Sequence, residues 1–438
     1  MPGRRRNPAV ATAPIVAAEI ESLSHEGRGV ARVDGKAVFV DNALPGEQVT
    51  LRYTRRRKRY DEAVAVEIIR ASPDRIAPRC PYYGVCGGCN LQHLRSGSQI
   101  AHKQKTMLEH LAHAGGLRPV RVLPPVTGSI WNYRRRARLS ARYVQKKESV
   151  LIGFHEKSGN FIADITSCEV LDSGVSVLLP ALRELMNSLS LRTDVPQIEV
   201  AIAEQQVALV IRHLIPCTEA DLRLLRDFAA VHGILFYLQP GGVESLQSLD
   251  QSPALKYRLP AHGIEIEFQP LDFIQTHAGI NAAAIDLVIA LLEPQPGDVV
   301  LELFCGLGNF TLPLARRVRR IVGVEGERGL VDRARANAAR NKVTNAEFVQ
   351  ANLTTATPPA GNYTKLLLDP PRTGAQDIIR RLNLTRVQRL VYVSCNPATL
   401  ARDAALLVKE HGLKLESVGI MDMFPHTAHV ESIALFSR

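Results

Sequence analysis

The sequence predicts an α/β protein built on a parallel sheet, preceded by an all-β barrel and a mixed α+β segment. Three observations carry this. From about residue 271 the pattern runs strand, glycine loop, helix, strand, and repeats, as a parallel α/β sheet requires. Residues 14 to 70 instead alternate as short strands: "KAVFVDN", "EQVTLRYT" and "EAVAVEIIR" are divided by the turn signals "DGK" and "LPGE". Between them, residues 71 to 270 mix both patterns and hold five of the seven cysteines. The expected domains are therefore 10–70, 71–270 and 271–438.

Composition narrows the classes. With 438 residues, 46% of them hydrophobic, the chain can bury more than one core. No apolar run is long enough to span a bilayer, and the N-terminus reads as no signal peptide. A cytoplasmic monomer that does not meet the membrane is expected. The net charge is +11, and the first sixty residues hold 12 basic against 6 acidic side chains. That concentration points to a polyanionic partner, and to a barrel of the oligonucleotide-binding kind. "RRRKRY" (55–60) reads as a nucleic-acid contact or, more plainly, as a solvated hairpin tip. Seven cysteines form no disulfide framework and suit metal-binding or catalytic thiols.

In the C-terminal domain, "GDVVLELFCGLGNFTLPLARRV" (297–318) is a strand, a glycine loop and a helix. Gly306 and Gly308 allow close backbone approach to a ligand. The next strand ends in Glu325, 19 residues after Gly306, where an acid can hold ribose hydroxyls. Thr311 stands where a dinucleotide fingerprint needs its third glycine. This argues against nicotinamide and for S-adenosylmethionine, the plain alternative being a generic doubly wound fold. Later strands end near Asn352, at Asp369 in "KLLLDPPR" and at Cys395 in "RLVYVSCNP". Ligands of open parallel sheets sit beyond the carboxyl ends of the strands, so these side chains share one edge.

Cys395 is followed by Asn396, a possible cap, and Pro397, suited to a first helical turn. Amides at a helix start are expected to lower the thiol pKa; the plain alternative is a buried, inert thiol. A thiolate beside a methyl-sulfonium donor suggests addition to carbon 6 of uracil, which gives carbon 5 enolate character. A base must then take the carbon 5 proton. "MFPHTAHVESIALFSR" offers His426, His429 and Glu431, with Glu431 only slightly ahead of His429.

"CPYYGVCGGC" brings Cys80, Cys86 and Cys89 together, and "ITSCEV" supplies Cys168. Four thiolates suit zinc or an iron–sulfur cluster, and spacing alone leaves both open. Cys217 reads as a core thiol, and Cys305 as part of the glycine loop rather than a nucleophile. "WNYRRRARLSARY" (131–143) interleaves aromatic and basic residues as RNA-binding segments do, or is an amphipathic strand with a wet arginine face.

"SCNPATLARD", "DMFPHTAHVES", "LFCGLGNFTLPLA" and "FIQTHAG" resemble the RNA (uracil-5-)-methyltransferase family, and the likeness extends through "WNYRRRARLS" to the N-terminal barrel, which resembles a TRAM domain. The resemblance implies a Rossmann-like class I methyltransferase domain behind the barrel and a central domain carrying a four-cysteine cluster. It implies that Cys395 is the nucleophile and Glu431 the proton-abstracting base. It carries the S-adenosylmethionine contacts to Gln275, Phe304, Asn309, Glu325, Asn352 and Asp369, with Asp369 instead, or also, touching the target base. "DPPR" stands where the family often has "DPAR". The cluster it implies is [4Fe-4S], on Cys80, Cys86, Cys89 and Cys168. Relatives acting on tRNA, or on another 23S site, commonly lack the barrel. The implied partner is therefore 23S ribosomal RNA, methylated at carbon 5 of one uridine that is unpaired or flipped from its stack. The alternatives are a tRNA or other-site rRNA enzyme, and a non-catalytic iron–sulfur RNA-binding protein.

Overall fold

The computed structural model describes residues 15–438, so residues 10–14 of the expected barrel lie outside the described residues. Contacts divide the chain into two units. The first holds the residues up to Lys103 together with Lys157–Gly159 and Pro425–His429, and the second holds the rest.

In the first unit, strands β1 (Ile15–Leu23), β2 (Gly29–Val33), β3 (Lys36–Asp41), β4 (Gln48–Arg56) and β5 (Tyr60–Arg70) close into a barrel in the order β1-β2-β3-β5-β4. Alternation sends Ile20, Ala31, Val38, Val40, Val49 and Leu51 inward. Asp34 and Gly35 turn β2 into β3 with φ of +50° and +77°, the pair of left-handed residues that a tight hairpin demands. "RRRKRY" is the exposed tip between β4 and β5. There the Arg56 guanidinium lies 3.8 Å over the Tyr53 ring and that of Arg57 5.4 Å over Tyr60.

Glu47 anchors the segment that leaves the barrel after β5. Fully buried, it accepts from Arg75 Nη2 at 2.8 Å and from the amides of Leu44 at 2.8 Å and Ser72 at 3.1 Å. The segment 425–429 is sewn into the same unit. His426 O accepts the amides of Asn90 at 3.0 Å and Leu91 at 2.9 Å, and His426 N–H donates to Gln99 Oε1 at 2.9 Å. Helix α1 (Ser96–His110) leads the chain into the second unit.

The second unit opens with the short β6 (Arg121–Val122) and the hairpin β7 (Arg136–Val144) and β8 (Ser149–Gly153). Helices α2 (Ser173–Ser176) and α3 (Leu179–Ser188) precede β9 (Gln197–Ile202), β10 (Val207–Arg212), α4 (Glu219–His232), β11 (Ile234–Gln239) and β12 (Gln247–Ser248). These strands form a six-stranded sheet in the order β12-β11-β10-β9-β7-β8. The hairpin β13 (Leu255–Leu259) and β14 (Ile264–Phe268) is pinned to the following domain. Asn337 and Asn341 there hydrogen-bond the backbone of Glu267 and Glu265.

That domain runs α5 (Ala278–Leu292), β15 (Val299–Leu303), α6 (Thr311–Ala315), β16 (Arg320–Glu325), α7 (Arg328–Arg340) and β17 (Ala346–Gln350). It continues through β18 (Lys365–Leu368), α8 (Gln376–Ile379), β19 (Arg389–Ser394), α9 (Pro397–Lys409), β20 (Lys414–Met421) and β21 (Glu431–Ser437). Strand order is β17-β16-β15-β18-β19-β21-β20-β6. β15 to β19 are mutually parallel, with the order reversing between β15 and β18, and β21 runs antiparallel to both neighbours. Among the described residues no helix is long and apolar enough to cross a membrane.

Removing the carboxylate at position 47 leaves a mostly buried guanidinium without its counter-ion, held only by the Asn42 carbonyl at 2.9 Å, and two amides without their acceptor. We expect Glu47→Ala to destabilise the first unit by about 3–5 kcal/mol, read as lost hydrogen-exchange protection in β4 and β5. Burial pushes the Glu47 carboxyl up, but Arg75 and the two amides carry it below its ordinary value. Its contribution is therefore present above the ordinary carboxylate range and is lost as pH falls through the depressed pKa. The gap between wild type and variant should close in acid; a gap that persists unchanged there refutes the ion-pair account.

Candidate active site and cysteine loop

At the carboxyl edge of β15 the chain turns sharply. Phe304 has φ +66°, and the amides of Phe304 and Cys305 both donate to Val324 O, at 2.8 and 3.2 Å. Gly308 has φ +88°, a left-handed conformation that favours glycine, and a Cβ there would stand 3.2 Å from Leu312 Cγ. Glu325 closes this loop against the next. Its carboxylate accepts the amides of Gly306 at 3.1 Å, Gly326 at 2.7 Å and Glu327 at 3.1 Å.

Asn309 is held by residues that the sequence motifs did not reveal. It exchanges amide hydrogen bonds with the buried Asn281 at 2.9 and 3.0 Å and accepts from Tyr257 Oη at 3.0 Å. The Arg135 guanidinium lies 4.8 Å over the Tyr257 ring, and its Nε donates to Gln275 O at 2.9 Å. One connected set thus fixes Asn309 and Gln275. The available signal was Asn281 itself, a lone amide in a helical run whose one other polar side chain is Asp286. Asn352 is exposed beyond β17, its Oδ1 accepting from Thr354 N at 3.0 Å and Thr354 Oγ1 at 2.6 Å.

Cys395 follows β19, and Asn396 caps α9 by accepting the Ala398 amide at 3.0 Å, with Pro397 in the first turn. Ser394 pairs with Ser432 across the antiparallel ladder, so the next residues outward, Cys395 and Glu431, stand opposite one another. Asp369 leaves the adjoining strand β18 at the same edge. The electrostatics differ from the expected activation by the helix start. Burial pushes the Cys395 thiol up to about 11, with the Glu431 and Asp369 carboxylates adding to it and Arg372 opposing. The cap is present, yet desolvation and the facing carboxylate outweigh it. Burial likewise pushes Asp369 up to about 7.

Glu302, in the middle of β15, was also missed, although a single acid in "VVLEL" is a visible anomaly. It is fully buried and accepts from Thr311 Oγ1 at 2.7 Å. Burial pushes it up to about 8, opposed by the Thr311 hydrogen bond and reinforced by Asp369 and Glu325. The same burial, with Glu302 and Glu325, holds the Cys305 thiol well above its usual range, in keeping with a thiol that is no nucleophile.

His426 is buried in the network of Asn90, Leu91 and Gln99 and has φ +66°, so it shapes its loop. His429 is exposed and belongs to the first unit, whereas Glu431 belongs to the second. Cys217 is half-buried and its thiol is raised by burial and by Asp221.

Cys80, Cys86 and Cys89 lie in one loop of the first unit, and Cys168 lies in the second. The Cys80 amide donates to Gln92 Oε1 at 3.1 Å, and the Gly88 amide points to Cys86 Sγ at 3.4 Å. Lys157 is tied to the loop through its amide on Val85 O at 2.9 Å, with its ammonium 5.1 Å over the Tyr83 ring. Soft sulfur ligands, an N–H aimed at sulfur and a nearby cation are surroundings that suit an anionic metal–thiolate group. Among the described residues no group of three or more His, Cys, Asp or Glu side chains is drawn together as a metal site.

The family model described as tRNA (uracil-5-)-methyltransferase matches residues 131–357 and 359–438. A model of the TRAM domain of tRNA (uracil(54)-C(5))-methyltransferase matches residues 16–73. The chain is 50% identical over 428 residues, 96% of either chain, to a Xanthomonas campestris pv. campestris protein named 23S rRNA (uracil(1939)-C(5))-methyltransferase RlmD. A protein of the same name from Stenotrophomonas maltophilia is 49% identical over 96% of both chains. Among solved structures, Pyrococcus abyssi tRNA (uracil-54, C5)-methyltransferase in complex with S-adenosyl-L-homocysteine superposes with a TM-score of 0.75 at 25% identity. That match covers 96% of this chain and 99% of the other.

Glu302 gives a pH test. Its pKa moves from an ordinary 4.5 to about 8 on folding. The stability from its neutral form is complete below the unfolded value and is lost as pH rises through the folded one. Glu302→Gln keeps the neutral shape, so the melting temperature of the variant relative to wild type should rise between those two limits, measured without added cofactor. Parallel curves across that range would show that Glu302 does not titrate there.

Proposed function

This chain belongs to the tRNA (uracil-5-)-methyltransferase family, and from that premise we propose that it moves a methyl group from S-adenosylmethionine to carbon 5 of a uridine in 23S ribosomal RNA. The observation that carries the chemistry is the β19–β21 register, which sets a thiol opposite a carboxylate at the edge where the glycine loop opens. The 23S target draws its support from the half-identical relatives named for that substrate. A second reading, a tRNA target, is favoured by the tRNA-directed enzyme whose fold spans nearly the whole chain and by the TRAM model's own description. The barrel therefore does not separate the two substrates, contrary to the expectation from sequence. Methylation of purified tRNA and 23S transcripts side by side separates them; transfer to tRNA alone would reverse the assignment.

S-adenosylmethionine, when bound, supplies an electrophilic methyl group. Gln275, Phe304, Asn309, Glu325, Asn352 and Asp369 would hold it along the strand ends. Cys395 forms a bond from sulfur to carbon 6 of the uracil, and the ring electron pair moves to the enolate at carbon 5. Carbon 5 would then take the methyl group as its bond to the donor sulfur breaks and S-adenosylhomocysteine departs. Glu431 accepts the carbon 5 proton, and the returning electron pair breaks the sulfur–carbon 6 bond, so that the thiolate leaves. Burial holds the thiol up, so its proton must pass to solvent for the sulfur to add, and Arg372 is the cation that favours the anion. We further assign a [4Fe-4S] cluster to Cys80, Cys86, Cys89 and Cys168, with a structural or RNA-binding role, since methyl transfer moves no electron through it. The enzyme acts as a cytoplasmic monomer in this reading.

Cys395→Ala should abolish both methyl transfer and any covalent RNA adduct. Glu431→Gln should slow product release by roughly 10²–10⁴-fold and accumulate the adduct as a retarded band on a denaturing gel. Absence of that band would move the base role elsewhere.

Protein purified without oxygen should contain iron and acid-labile sulfide in equal amounts, and Cys86→Ser should lose both together. Zinc in their place would overturn the cluster assignment.

A further inference from the structure

The central sheet carries a polar face that the proposed chemistry does not use. Along β7, Ala137, Leu139 and Ala141 are buried, while Arg136, Arg138 and Ser140 point the other way. Register extends that face across four strands. Ser140 pairs with Gln197, Gln197 with Arg212, and Arg212 with Gln239. Cross-strand partners share a face, so a row of hydrogen-bonding groups crosses β7, β9, β10 and β11.

This face is a cleft of about 300 Å³, walled by the Gly241–Gly242 turn and by Leu271. Its electrostatics are positive, with three guanidiniums against one carboxylate. Glu199, 6% exposed, fixes two of them, taking Arg136 Nη2 at 2.8 Å and Arg138 Nη2 at 3.1 Å. Arg212 is exposed, and no hydrogen bond or ion pair engages its side chain among the described residues. Gln239 is 6% exposed and lines the cleft, its amide likewise without a described partner. A nearly buried amide and an unneutralised guanidinium in one recess are groups that a ligand would satisfy. The cleft is also tied to the segment that leads to a proposed cofactor contact. Arg136 Nη1 donates to Pro270 O at 2.5 Å, and Pro270 and Leu271 lead directly to Gln275.

We propose that this cleft seats one unpaired nucleotide of the substrate RNA, flanking the target uridine, with a phosphate on Arg212 and a base edge on the Gln239 amide. The volume lies at the low end of ligand pockets, ~300–1,000 Å³, and suits a single nucleotide rather than a duplex. Unpaired bases splayed into such recesses are how proteins read RNA sequence. The proposal rests on the RNA-methyltransferase reading above and adds to it a site that governs RNA affinity, not the methyl-transfer step.

The test uses the full-length protein, unmodified 23S transcript and labelled S-adenosylmethionine. Arg212→Glu should raise the KM for RNA about tenfold, leaving kcat at saturating RNA and the KM for S-adenosylmethionine unchanged. Loss of one single-strand phosphate contact should also lower the slope of log Kd against log salt by about 0.7 in Arg212→Ala, whereas Arg212→Lys should keep it. Arg223→Glu, on the exposed face of α4, controls for net charge and should leave the KM for RNA alone. If wild type methylates the transcript but Arg212→Glu matches it, or if the Arg212 and Arg223 variants weaken binding equally, the cleft assignment fails and the proposed function stands. If wild type neither binds nor methylates the transcript, the proposed function fails and the cleft assignment with it.

Discussion

Strand β21 runs against β19, and the architecture of the candidate site depends on that reversal. Parallel strands deliver only their carboxyl ends to the ligand edge. An antiparallel neighbour delivers its first residue there instead, so Glu431 arrives opposite Cys395 while the chain before it is still outside the sheet. The arrangement is strict because strand side chains alternate. A slip of one residue would turn Glu431 to the other face and bring Ser432 to the thiol. Both strands are almost wholly buried, which fixes the register through their apolar faces.

The same edge concentrates acidic groups where water is scarce. Glu302 is held up at about 8, Asp369 at about 7 and the Cys395 thiol at about 11, burial being the leading cause in each. Arg372 is the cation that opposes this at the thiol. Such a set of acids is complementary to a cationic ligand. A sulfonium centre would favour the ionised form of every acid around it, so occupancy by S-adenosylmethionine and activation of the thiol pull in the same direction.

Periodicity and turn chemistry made the five strand ends, the glycine loop and the barrel legible before any coordinates, because each is a local property of the chain. Pairing across long sequence separations was not legible. Glu431 and His429 looked nearly equivalent as bases because both sit in one short segment. Only the ladder with β19 places Glu431 across from the thiol, while His429 belongs to the other unit. The thiol pKa was misjudged for a related reason: the cap at Asn396 can be read from "CNP", whereas burial and a carboxylate from another strand cannot. Asn309 was found through its motif, but the Asn281 and Tyr257 side chains that orient it come from separate elements. The partners that tie the cysteine loop down were invisible as well, since Asn90 and Leu91 bond a segment more than three hundred residues away.

One further buried carboxylate explains why the proline-rich turn after Asp369 sits where it does. Asp403, on α9 and fully buried, accepts from Tyr392 Oη at 2.6 Å, from the Ala375 amide at 2.6 Å and from Arg402 Nε at 2.8 Å. Arg402 in turn donates to Thr373 O at 2.8 Å, and Asn396 Nδ2 to Arg372 O at 3.2 Å. Gly374 sits inside this clamp with φ +79°, where a Cβ would approach Asp403 Oδ2 to 2.5 Å. The turn is thus bolted to the helix that begins just after Cys395, at both its start and its end. The backbone that carries Arg372 is consequently held against the helix start beside Cys395, so the cation that opposes the carboxylates at the thiol is supplied by a hydrogen-bonded turn.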